Sequence, residues 1–102
     1  AAQIEMSRQQ SRIRSAELQL ANARKNLADQ QARVKATEEY VKQLKDEIKT
    51  LEADNSPRNA ARLNQAIRML NLYSNNVAIY SADLKKMEQF EATAVTKLAA
   101  AK

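Results

Sequence analysis

From Met6 to Ile48 an apolar side chain returns at every seventh residue: Met6, Ile13, Leu20, Leu27, Val34, Val41 and Ile48. Three residues after each come Gln9, Ala16, Ala23, Gln30, Thr37, Leu44 and Leu51. Steps of three and four residues keep both series on one stripe of an α-helix, the a/d pattern of a coiled coil. The stripe is fullest from Val41 to Leu51 and thins toward the N-terminus, where Gln and Ala take the d sites. A second stripe obeys the same rule. Leu63, Leu70, Val77, Leu84, Glu91 and Leu98 form one series, and Ala66, Tyr73, Tyr80, Met87, Ala94 and Ala101 follow three residues behind. The segment Leu70 to Tyr80 could pass in isolation for two strands meeting at Asn75-Asn76. Its Leu70, Tyr73, Val77 and Tyr80 fall in register with this stripe, so it reads as helix.

Ala53-Asp54-Asn55-Ser56-Pro57-Arg58-Asn59 separates the two stripes. Asn55 suits the left-handed position that closes a helix. Ser56 suits an N-cap, its oxygen accepting from an exposed amide. Pro57 then falls at the first helical position, where its missing N–H costs nothing. The chain has no Gly and one Pro, so few other connections are available. A turn this short returns helix two antiparallel to helix one. The expected fold is all-α: a long antiparallel two-helix coiled-coil hairpin over 1–102. Helix one covers about 3–54, the turn about 55–57 and helix two about 58–100.

Pairing Leu51 with Leu63 sets the register. Ile48 then faces Ala66, Leu44 faces Leu70, Val41 faces Tyr73 and Val34 faces Tyr80. Further along, Leu27 faces Met87, Leu20 faces Ala94, Ala23 faces Glu91, Ala16 faces Leu98 and Ile13 faces Ala101. Large residues repeatedly meet small ones, as dense packing at constant helix spacing requires. Residues 1 to about 12 are left without a counterpart on helix two. They either fray or dock on another chain.

A hairpin of this kind buries one stripe per helix, while ordering each residue costs ~1–2 kcal/mol. Several layers hold only Ala, Gln or Thr, so a self-standing rod is marginal. Helix two also carries Met69, Leu72, Ile79 and Phe90 outside the seam, with Asn76, Asp83 and Lys86 between them. These four apolar residues are the candidate partner-binding site, for a second copy or another helical protein.

The chain contains no His, Cys or Gly. It therefore lacks nucleophile–His pairs, imidazole or thiolate metal ligands and Gly-rich phosphate loops. Adjacent carboxylates such as Glu38-Glu39 and Asp46-Glu47 diverge by about 100° on a helix, so they do not converge into acid–base dyads. No enzymatic activity, cofactor or metal is expected. No apolar run approaches the ~18 residues of a transmembrane helix. The Ala1-Ala2-Gln3 start suits a trimmed chain or a mature secreted end, and secreted, periplasmic and cytoplasmic locations are all compatible. The net charge is +5, and residues 55–82 carry Arg58, Arg62 and Arg68 without an acid. That stretch makes nucleic acid the alternative partner. Oppositely charged residues four apart, Lys25/Asp29, Asp29/Arg33 and Glu38/Lys42, suit a solvated helix face.

Ser56-Pro57 and the run Asn71-Leu72-Tyr73-Ser74-Asn75 resemble the second helix of type III secretion needle subunits. The matching positions are Pro57, Tyr73 and Asn75, together with Ala66. The resemblance spans about 20 residues and implies a small helical hairpin that polymerises into a hollow, protein-conducting filament. The first arm is longer and more charged than that family suggests, and Asp83 and Glu91 interrupt the usual apolar tail. The functional expectation is a non-enzymatic structural or assembly protein acting through coiled-coil surfaces, with a secretion-type assembly as its specific form. The alternatives are a basic rod that binds nucleic acid and a receptor-binding or adaptor hairpin excised from a larger protein.

Overall fold

The computed structural model describes residues 2–54 and 56–102. It is an all-α helical hairpin: α1 spans Ala2–Ala53, η1 is a 3₁₀ turn over Pro57–Asn59, and α2 spans Ala60–Ala101. No strand occurs among the described residues, so the segment from Leu70 to Tyr80 is helical throughout.

The turn is built by short-range bonds. Asp54 N–H still donates to the Thr50 carbonyl at 3.2 Å, and Ser56 N–H donates back to Asp54 O at 2.8 Å. Ser56 is extended (φ −76°, ψ 132°), and its Oγ accepts from Arg58 N–H at 3.3 Å, with Pro57 next to it inside the turn. Asn55, expected to close helix one, lies outside the described residues. The second arm begins as 3₁₀ rather than α-helix: Asn59 N–H reaches Ser56 O at 3.0 Å, and Asn59 Nδ2 bonds Asp54 Oδ2 at 2.9 Å. That side-chain tie draws the first turn tight, and three-residue bonds are common where a helix starts.

The residues form two compact units, each made from both helices: 1–31 with 83–102, and 32–82. In the unit of 32–82 the buried residues are Val34, Leu44, Ile48 and Ala66. Thr37 occupies a seam position, and its hydroxyl donates to Arg33 O within the helix at 2.8 Å, which satisfies the polar group locally. One flank of this unit is closed by three α1 side chains spaced seven apart. Glu47 Oε1 accepts from Arg62 Nε and pairs with the Nη2 of the same guanidinium. Tyr40 meets Tyr73 edge-on with ring centroids 4.7 Å apart. The Arg33 guanidinium lies 4.7 Å from the Tyr80 ring centre. Tyr40 and Arg33 immediately precede Val41 and Val34, so both contacts fit the pairing read from the sequence.

In the unit of 1–31 with 83–102, Ala16, Leu20, Ala23, Gln30 and Ala94 are buried. Leu20, Ala23 and Ala94 pack together, with Leu98 against them. Glu91 stands where the register puts it: its carboxylate leaves the seam to meet Arg24 Nε at 3.7 Å. Residues 2–12 are helical but exposed. Met6, although a seam residue by spacing, is 62% exposed. None of Lys25/Asp29, Asp29/Arg33 or Glu38/Lys42 forms an ion pair among the described residues. Among the described residues the single ion pair formed within one helix is Glu5–Arg8 at 3.6 Å. Arg33 is occupied by Tyr80 instead, and exposed pairs of long side chains gain too little to hold one geometry.

Candidate partner-binding surface

The four candidate residues all belong to α2, but the two compact units divide them. Met69, Leu72 and Ile79 lie in the unit of 32–82 and Phe90 in the other. Met69 is half-buried, so part of its side chain already serves its own hairpin. Leu72 and Ile79, seven residues apart, are each 56% exposed, and Phe90 is 64% exposed. Apolar side chains this open on a helix draw their stabilisation from elsewhere or remain in water.

Phe90 lines a groove of about 360 Å³ together with Ala23, Asn26, Asp83, Lys86 and Met87. The groove has a local cause. Asn26 stands seven residues before Arg33 in α1 and is too short to bridge to α2 as Arg33, Tyr40 and Glu47 do. Ala23 adds no bulk beneath it. Asp83 and Lys86 flank the groove as one acid and one base, and neither forms an ion pair among the described residues.

The sequence pattern overlooked other open apolar residues. Ile4 is 58% and Leu18 62% exposed on α1, fourteen residues apart and therefore at one heptad position. That spacing was readable, but neither residue belongs to the seam series.

The basic stretch is reduced by its own fold. Arg62 is engaged by Glu47 and also donates to Gln65 Oε1 at 3.4 Å, whereas Arg58 and Arg68 form no ion pair among the described residues. Among the described residues no helix is long and apolar enough to cross a membrane, and no group of three or more acidic, His or Cys side chains could hold a metal ion.

Comparison with protein-family models, curated proteins and solved structures finds no match to this chain. The resemblance to needle subunits therefore stands on the sequence positions that suggest it. Tyr73, one of these positions, packs on Tyr40 within the hairpin, and Asn75 is exposed.

Proposed function

We propose that this chain is a non-enzymatic structural element that assembles through coiled-coil packing, with copies of itself or with another helix. The observation that carries this reading is the exposure of Leu72, Ile79 and Phe90 on a hairpin whose own core is only a narrow seam. Burying large aliphatic or aromatic side chains contributes about 1.5–3 kcal/mol each, on the scale of what a marginal rod lacks. A secretion-type filament is the specific assembly that Pro57, Tyr73 and Asn75 suggest.

Sedimentation over a concentration series tests the proposal. The parent chain is expected to associate, and Leu72→Glu is expected to weaken association about tenfold or more, because it places a charge in an apolar contact. A strictly monomeric, stably folded parent, indifferent to Leu72→Glu, overturns self-assembly and leaves docking to another helix to be tested by pull-down. The alternative, a nucleic-acid-binding rod, rests on Arg58 and Arg68 and is weakened by the engagement of Arg62. It requires salt-sensitive binding of DNA or RNA, and a mobility shift at low salt decides it.

A further inference from the structure

We infer that the groove beside Phe90 takes a second copy of this chain, the two α2 helices docking antiparallel about a two-fold axis between Asp83 and Lys86. This rests on the reading that the hairpin assembles, and it names the partner and the contact.

Asp83, Lys86 and Phe90 stand at i, i+3 and i+7, so they share one face of α2. The same face borders the groove with Ala23 and Asn26 from α1. Asp83 is half-buried, and it has no cation within its own chain among the described residues. A neutral apolar helix laid in the groove would cover Phe90 but strand that carboxylate, which is costly. An acidic or a basic partner would satisfy one of the two charges and repel the other. A second copy supplies both complements.

Orientation follows from the same charges. In a parallel pair Asp83 would face Asp83 and Lys86 would face Lys86. In an antiparallel pair each Asp83 faces the second copy's Lys86, and the two contacts are made twice by one symmetry operation, as in an isologous interface. With the axis between Asp83 and Lys86, position 90 of one copy falls opposite position 79 of the other, so each Phe90 meets the second copy's Ile79, which is 56% exposed. The contact is small beside a standard interface of about 800 Å² per partner, so the association is reversible and concentration-dependent.

Sedimentation equilibrium on the full chain at low salt, reaching high concentration, is the test. The parent is expected to dimerise. Asp83→Lys and Lys86→Asp should each weaken the homodimer about tenfold or more, since like charges now meet across the axis. An equimolar mixture of the two variants should form a heterodimer of near-parental strength, because one copy carries only cations at these positions and the other only acids. Phe90→Ser should lose the dimer with helicity unchanged. If a reversal lowers helicity by circular dichroism, Asp83→Asn and Lys86→Gln replace it and should weaken the dimer by a smaller factor. Homodimers indifferent to the charge reversals, or variants that do not recombine, overturn this pairing. If such a dimer is still lost in Leu72→Glu, assembly stands and only this contact fails. A parent that remains monomeric overturns this pairing and self-assembly with it.

Discussion

Glu91 is the one charged residue in the two seam series of α2, and its environment shows how a carboxylate is accommodated there. Opposite it, Ala23 leaves space, and the side chain, 27% exposed, bends to the edge to meet an Arg24 that is itself 62% exposed. An ion pair this open is worth ~0–1 kcal/mol. An apolar residue in its place would bury area worth about 1–2 kcal/mol. Glu91→Leu is therefore expected to raise stability by roughly 1 kcal/mol once the lost ion pair is counted, read from urea or thermal unfolding. If Glu91 also fixes the register, the same variant should show more than one oligomeric species, because a polar seam residue penalises slipped pairings. A clear loss of stability would mean that Glu91 does not face Ala23 in a tight seam.

At the scale of elements, the seam series placed both helices and their pairing, because a seven-residue repeat leaves few other ways to bury those side chains. Pro57 and Ser56 placed the turn. The 3₁₀ start of the second arm was not legible, since it depends on Asn59 reaching Asp54, a contact between residues that no propensity links. The bridging row of Arg33, Tyr40 and Glu47 was likewise hidden. These residues lie outside the seam series, and their role becomes visible only when Tyr80, Tyr73 and Arg62 are set opposite them. Of the candidate surface, Leu72, Ile79 and Phe90 were legible as apolar residues without a place in the seam, whereas the groove required both helices. The turn carries its own prediction. Ser56 Oγ accepts one exposed amide at 3.3 Å, a long bond, so Ser56→Ala should cost about 0.5–1 kcal/mol, toward the lower end for a lost N-cap. Chemical denaturation of the variant measures this, and stability equal to the parent's would show that Pro57 and the Asn59–Asp54 bond hold the turn unaided.

On the scale of the molecule, the two compact units differ in what they bury. The unit of 32–82 encloses Val34, Leu44, Ile48 and Ala66, and one flank is closed by an ion pair, a tyrosine pair and a cation–π contact. The unit of 1–31 with 83–102 encloses Ala16, Leu20, Ala23, Gln30 and Ala94, a core in which Ala and Gln replace branched side chains. Each buried methyl or methylene group contributes about 0.8 kcal/mol, so the second unit holds its helices together less strongly by several such groups. Local opening follows local burial. Native-state hydrogen exchange on a dilute, monomeric sample should therefore show α1 amides before Gln31 and α2 amides after Asp83 exchanging faster than those of 32–82, including in helix interiors away from the frayed ends. At concentrations where the chain associates, the gap should narrow around residues 83–93, because a second copy covers the groove there and opening must first release it. Equal protection of both units in the monomer would show that stability does not follow the composition of the seam, and protection near Phe90 that does not change with concentration would place any assembly contact elsewhere.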